Sequence, residues 1–307
     1  MTKYIVKRLL QSLISVFGAV VIVFFMIRLS GDPARLMLPP EATEEQVEAL
    51  RESLGFTRPV IIQFLDFVKN AATGNFGRSL FYKQPVLELI IQRLPNTLLL
   101  AFAAILLSVI IGGLVGILTA YKHDTPVDYI LSGIVQFCQS MPVFWIGIIL
   151  IMVFSVKFHV LPTSGFDNGF KSLILPSVAL AFYSSAPIAK TTRASMIHVM
   201  NENYITVSKA HGFSDRAILV KKALRNAALP VVTVIGLEFG SLLGGAVVCE
   251  TVFAWPGLGS LIIQGISNRD FPLVQGGTLI VSTMYILLNF IIDILYLYIN
   301  PRIRVEG

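Results

Sequence analysis

Six long apolar runs divide this 307-residue chain, and they constrain its class before any motif is read. A helix needs about 20 apolar residues to cross about 30 Å of hydrocarbon. Runs that approach this length cover Leu9–Ile27, Thr97–Ala120, Ile130–Val153, Leu173–Ala189, Pro230–Val252 and Val274–Ile299. Lipid offers a backbone no hydrogen-bond partners, so each run predicts a helix. Composition agrees: 55% of residues are hydrophobic, 14% are charged, and the mean hydropathy is +0.76. An ordinary soluble domain carries about 25% charged residues. The expected fold is an all-α integral membrane protein with six transmembrane helices. Pro176 and Pro187 interrupt the fourth run, which makes it the weakest. Lys3, Lys7 and Arg8 precede the first run and raise the alternative of a secretory signal peptide. About 19 apolar residues are long for that role, and no clear small-x-small cleavage site follows.

Loop charge predicts the orientation. With the N-terminus in the cytoplasm, the cytoplasmic segments hold Lys3, Lys7, Arg8, Lys122, Lys190, Arg193, Lys209, Arg216, Lys221, Lys222, Arg225, Arg302 and Arg304. The short outer loops hold only Lys157, Lys171 and Arg269. This is a positive-inside bias with both termini in the cytoplasm. It accounts for the net charge of +6 without a nucleic-acid partner. The two cysteines, Cys138 and Cys249, make no disulfide framework.

Three regions follow: residues 1–29 with the first helix, an extracytoplasmic segment over 30–96, and a five-helix core over 97–307. In the outer segment, Thr43 followed by Gln46 is a capping-box signature. Val47, Leu50 and Leu54 then recur at helical spacing, which predicts a helix over Glu44–Leu54. Val60–Val68 reads as a second apolar-faced helix after Pro59. Gly74, Asn75 and Gly77 mark a turn. Such a segment is either a small cap on the outer face or a platform for an external partner.

Inside the apolar runs the informative residues are small or polar. Gly236, Gly240 and Gly244 repeat every four residues, which places them on one helix face and predicts close packing of two helix backbones. Gly112 and Gly116 repeat the pattern in the second run. Glu238 and Asp293 interrupt apolar runs. A carboxylate there costs about 2.5–3.5 kcal/mol, so it either pairs within the bundle or lines a path. Pro142 and Pro176 free backbone groups, and each either shapes a cavity or is a tolerated kink.

Catalytic and metal-binding spacings are missing from the sequence. It has no HExxH, GxSxG or CxxC, and no GxxxxGK[ST] loop to cradle a nucleotide. The histidines His123, His159, His198 and His211 are scattered. No catalytic residue, metal ligand or resident cofactor is expected.

The stretch from Tyr204 to Pro230, YITVSKAHGFSDRAILVKKALRNAALP, breaks the apolar pattern. Gly212 follows a helical stretch containing the small residues Ser208 and Ala210. Phe213, Ser214 and Asp215 make a short break, and Ser214 can cap a new helix. On that helix Ala217, Val220, Leu224 and Ala227 share one face, opposite Lys221, Lys222 and Arg225. A pair of amphipathic surface helices is expected, attracted to anionic lipid or offered to a partner.

This stretch is similar to the cytoplasmic EAA loop of ABC importer permeases. The triplet positions are Thr206-Val207-Ser208, the glycine is Gly212, and the ending is Lys222-Ala223-Leu224-Arg225. Only the glycine and the leucine match strictly. The wider form, YITVSKAHG…ALRNAALPVVT, resembles the version in the dipeptide/oligopeptide/nickel permease family. So do GDPARL (Gly31–Leu36), GNFGRSL (Gly74–Leu80), ETVFAWPGLG (Glu250–Gly259), NRDFPL (Asn268–Leu273) and DILYLYINPRIR (Asp293–Arg304). The blocks stand in family order over nearly the whole chain, as in the first of the two permease subunits such importers use.

The resemblance implies a type I ABC importer permease fold in a bacterial or archaeal cytoplasmic (inner) membrane. It implies a second homologous permease subunit, two cytoplasmic ATPase subunits that hold ATP and Mg, and an extracytoplasmic substrate-binding protein. The ATPases would dock on a coupling loop at Ser208, Lys209, Ala210, His211, Gly212, Phe213, Ser214 and Asp215. This chain would form half of a path for dipeptides or oligopeptides. The family also carries nickel chelates, glutathione and some sugars. A secondary transporter using Glu238 and Asp293, or a receptor that moves nothing, are the competing classes.

Overall fold

A computed structural model gives the protein's fold and describes residues 2–29, 31–38, 41–214 and 217–299. These residues are almost entirely helical. Five helices are long and apolar enough to span a bilayer, and a sixth span is a bent pair. Helix α1 covers Thr2–Leu29. Three short helices follow: α2 (Pro33–Met37), α3 (Glu44–Ser53) and α4 (Val60–Ala72). The second long helix, α5, covers Val86–Tyr121. The bent pair is α6 (Pro126–Ser140) and α7 (Val143–Leu150), and α7 continues as a π-turn over Ile151–Lys157. Then come α8 (Phe170–Met200) and α9 (Asn203–Ala210). A π-turn over Ile218–Ala223 leads into α10 (Leu224–Val252), followed by α11 (Leu258–Ser267) and α12 (Phe271–Ile299).

Three of the expected spans change shape. The third is not one straight helix: α6 and α7 meet at 100° at the break around Pro142. Pro142 is the N-cap of α7, where its missing N–H costs nothing. The fourth is unbroken, with Pro176 and Pro187 both inside α8. The Cys249 thiol of α10 donates to the Pro176 carbonyl at 3.5 Å and ties this part of α8 to its neighbour. The fifth does not begin at Pro230, which lies within α10. The expected separate basic helix is therefore the first turns of α10 and its π-turn.

Helix α8 is the centre of the bundle. Its apolar window is 72% buried, against 6% for α12, so α12 lies at the periphery. Glycines on α5 let α8 approach closely. A Cβ at Gly112 would meet the Ser185 carbonyl oxygen at 2.5 Å, and one at Gly116 would meet the Thr192 Cβ at 2.5 Å. The main core joins α5, α7, α8 and α10 through Leu100, Ile146, Leu180, Ile188, Leu243 and Trp255.

The segment between α1 and α5 folds as its sequence predicts. Thr43 and Gln46 form both bonds of the capping box, and Val47 is the buried residue of α3. Gly74 and Gly77 take φ of +74° and +77°, and the Asn75 side chain accepts from the Gly77 N–H at 3.2 Å. Helix α4 packs on α1 through Phe64, whose ring centroid is 5.1 Å from Phe24 and 6.2 Å from Phe17.

Candidate functional site

The polar loop sits between α8 and α10, and its turn geometry follows from one glycine. Helix α9 ends at Ala210. The Phe213 N–H donates back to the Ser208 carbonyl at 3.3 Å, and Gly212 takes φ +80°. That is the Schellman ending, in which a left-handed residue reverses the chain and only glycine enters without strain. Ser214 then caps the next helix: its Oγ accepts from the Ala217 N–H at 3.4 Å. His211, Gly212, Phe213 and Ser214 are all exposed. Among the described residues, a Cβ at Gly212 would meet nothing within 4 Å. The Lys222 Nζ stands 5.3 Å from the Phe213 ring centroid. Asp215 and Arg216, with the side chains of Lys209, Val220 and Lys221, lie outside the described residues.

A small apolar core holds this loop to the bundle. Met196 of α8, Ile205 of α9 and Ile218, Ala223 and Ala227 on the way into α10 pack together with Ala120 of α5. The Asn226 amide donates to the Tyr204 hydroxyl at 2.7 Å across the same seam. At this end α8 is clamped to α6 by a two-pronged ion pair. Arg193 donates from Nε and Nη2 to the two oxygens of Asp128 at 2.8 and 2.6 Å. Asp128 is only 1% exposed. His123, Asp124 and Asp128 bring their ligand atoms within 4.8 Å of one another. Asp128 is already satisfied by Arg193, and His123 pairs with Asp124 at 2.8 Å, so the cluster is internally balanced.

The glycine face on α10 divides. A Cβ at Gly236 would meet Ile292 at 2.9 Å, and one at Gly240 would meet Leu288 and Tyr285 at 3.3 Å, all on α12. Gly244 meets nothing within 4 Å, so it does not join that contact. Asp293 pairs with Arg8 at 3.2 Å and links α12 to α1. Glu238 is half-buried and faces Ser184 of α8.

The opposite end of the bundle holds the GNFGRSL, ETVFAWPGLG and NRDFPL blocks. Glu250 is fully buried. It accepts from the Thr97 hydroxyl at 2.6 Å and from the Ser260 N–H at 2.9 Å. The Leu258 N–H donates in turn to Thr97 Oγ1 at 2.8 Å. Glu250 thus caps the N-terminus of α11, where free N–H groups favour a carboxylate. A Cβ at Gly257 would stand 2.2 Å from the Glu250 carboxyl, so glycine there makes room for the cap. Trp255 Nε1 donates to the Asn96 carbonyl at 3.0 Å, and the Asn96 amide donates to the Pro256 carbonyl at 2.8 Å. Asp270 makes a second lock: it accepts from the Ser79 hydroxyl and from the Phe81 N–H at 3.2 Å. So the GNFGRSL and NRDFPL blocks, far apart in sequence, meet in space.

The family model for "binding-protein-dependent transport system inner membrane component" matches residues 112–305, and the corresponding N-terminal model matches residues 1–101. The chain belongs to this family. It is 41% identical to the glutathione transport system permease protein GsiC of Escherichia coli (strain K12) over 305 residues, 99% of each chain. The GsiC of Shigella flexneri serotype 5b is also 41% identical over the same span. Among solved structures, the inward-facing MetNI methionine ABC transporter matches at TM-score 0.57 and 19% identity, covering 69% of this chain and 96% of that one. An amino acid ABC transporter crystallised with histidines matches at TM-score 0.52 and 21% identity, covering 70% of this chain and 94% of that one. The fold is that of type I ABC importer permeases, and this chain is a multi-pass permease subunit of an ABC importer.

Several structural residues of the permease escaped sequence reasoning. Glu250 and Asp270 stood inside recognised blocks with no role attached. Asp128 and Arg193 are 65 positions apart and carry no local signal of their pairing. Thr97 gave no signal beyond its place at the edge of an apolar run.

Proposed function

We propose that this permease imports short peptides, glutathione among them, with Ala210–Ser214 as the surface that receives the motion of an ATPase. The observation that carries the reading is the exposed Gly212 turn, bound through α9 and the Met196–Ile218 core to the two helices it connects. A push on that turn moves α8 and α10 together, and α8 is the helix every core neighbour touches. The sequence lacks a P-loop, so ATP and Mg belong to two partner ATPases. A second, homologous permease supplies the other half of the path, and an external binding protein delivers substrate.

The positive-inside bias supports an orientation with both termini and the Gly212 turn in the cytoplasm. It leaves α2, α3 and α4 on the outer face. Glu238 is the path-facing candidate among the intramembrane acids, since Asp293 is engaged by Arg8. The 41% identity to a glutathione permease over nearly the whole chain favours short peptides as substrate.

The test is the Gly212→Trp variant in a reconstituted complex with its ATPases and binding protein. No described residue lies within 4 Å of that Cβ, and the strain at φ +80° is confined to the exposed turn, so the complex should still assemble in the membrane. Uptake should fall while ATP hydrolysis continues. Uptake equal to wild type at equal abundance would reject the coupling role. A panel of glutathione, dipeptides, longer peptides and nickel chelates, offered to the same vesicles, reads the substrate class.

A further inference from the structure

A guanidinium at the end of α1 has no acidic partner among the described residues. Arg28 lies just beyond the span Ile5–Met26. Its Nη1 donates to the Phe24 carbonyl at 3.1 Å, and its Nη2 donates to the Gln63 side chain. Its Cζ stands 3.6 Å from the Phe24 ring centroid, so one face of the cation is covered. Among the described residues it forms no ion pair. Asp66 lines the same crevice but pairs with Arg58 at 3.5 Å. A half-buried cation held only by neutral acceptors is short of an anion. Three of its five N–H donors are not used by any described residue.

The space around Arg28 suits an amphipathic anion. A crevice of about 210 Å³ opens beside the guanidinium. A second, of about 430 Å³, adjoins it and shares Met37, Leu54, Phe56 and Phe67 as walls. The helix on the other side, α4, lies along the membrane-spanning part of α1, with Phe64 against Phe17, Phe24 and Phe25. None of its residues is buried, and Val60, Ile61 and Leu65 are 49%, 66% and 60% exposed. Gln63, Asp66 and Asn70 line the crevice instead. A short helix with one apolar exposed face, beside a span, fits the boundary between headgroups and acyl chains.

We propose that Arg28 and the crevice beside it bind the phosphate of a phospholipid from the adjoining leaflet, with its acyl chains along the exposed face of α4. A phosphodiester supplies the missing negative charge, and its oxygens accept from the free guanidinium donors. The lipid would tie α4 to α1 and hold the small-helix segment at the membrane surface. This goes beyond the transport reading and does not depend on it.

Native mass spectrometry of the complete, delipidated importer complex tests the site, with dioctanoyl phosphatidylglycerol as titrant. Wild type should retain a phosphatidylglycerol that Arg28→Gln loses, with at least a tenfold rise in the concentration needed to fill the site. Lys83→Gln, which lines neither crevice, should bind as wild type does. Dioctanoylglycerol, with the same tails and no phosphate, should not fill the wild-type site. Inorganic phosphate should not displace the lipid at matched concentration. Should Arg28→Gln misassemble, Arg28→Lys and the two wild-type competitors still decide: Lys keeps the charge and should keep the lipid with weaker retention. Equal lipid occupancy in wild type and Arg28→Gln, filling by dioctanoylglycerol, or displacement by inorganic phosphate would each overturn the proposal.

Discussion

The two ends of the bundle are built in opposite ways. At one end, buried carboxylates lock loops to helices: Glu250 holds Thr97 and the start of α11, and Asp270 holds Ser79 and Phe81. These two carboxylates are satisfied inside the chain, in surroundings where an unpaired one is expensive. At the other end, one ion pair and a small apolar core support a turn whose outermost side chains touch little of the protein. The locked end sets the geometry of the helices. The bare end leaves its surface for another molecule. A coupling element needs both: a rigid lever and an exposed handle.

The largest expected effect comes from breaking the locked end. Glu250→Ala leaves the Thr97 hydroxyl and the Ser260 N–H buried without their acceptor. Each such group costs about 1–3 kcal/mol. Thermal unfolding in detergent should show the steepest loss of any single variant here, and Gly257→Ala should follow it by forcing the carboxyl aside. If Glu250→Ala melts with wild type, the locked end is not the rigid one.

Arg193→Gln comes next. It strips the partner from Asp128, a nearly fully buried carboxylate, and removal of one member of such a pair costs about 3–5 kcal/mol. The double variant Asp128→Asn with Arg193→Gln should recover part of the loss in the same melt. A loss equal to the sum of those of Asp128→Asn and Arg193→Gln alone would mean that the two side chains contribute independently.

Gly212→Ala should separate stability from coupling. A non-glycine residue at φ +80° costs about 1–2 kcal/mol locally. Because the turn is exposed and locally held, the global unfolding temperature should move little, while transport per ATP hydrolysed falls. A large drop in unfolding temperature would show the turn to be part of the cooperative core.

Gly244→Ala is the smallest effect. Nothing lies within 4 Å of its added Cβ, so detergent-purified protein should melt within about 0.5 kcal/mol of wild type. A defect that arises only when the second permease is present would assign this face to the subunit contact.

Much of the fold was legible because apolar length is a direct physical requirement of the bilayer. Local chemistry was legible too: the Thr43 box, the Gly74 and Gly77 turn and the Ser214 cap each depend on a few adjacent residues. The third and fifth spans were misread because hydropathy counts residues and is blind to direction. It cannot tell a 100° break at Pro142 from a kink, nor a helix that runs on through Pro230 from one that starts there. Asp293 looked the same as Glu238 in sequence; only the fold brings Arg8 to one of them.

The sequence by itself determined that this chain crosses a membrane about six times, carries a glycine-hinged polar loop and belongs with importer permeases. The first two properties follow from composition, period and short-range turn chemistry; the third rests on the resemblance of its sequence blocks to that family. Only the tertiary structure decided which polar residues satisfy one another: Glu250 with Thr97, Asp270 with Ser79, and Asp128 with Arg193. The partners in those pairs are 65 to 191 residues apart. In a medium that supplies almost no water, the bundle must bring such groups together, and the folded path of the chain chooses which ones meet.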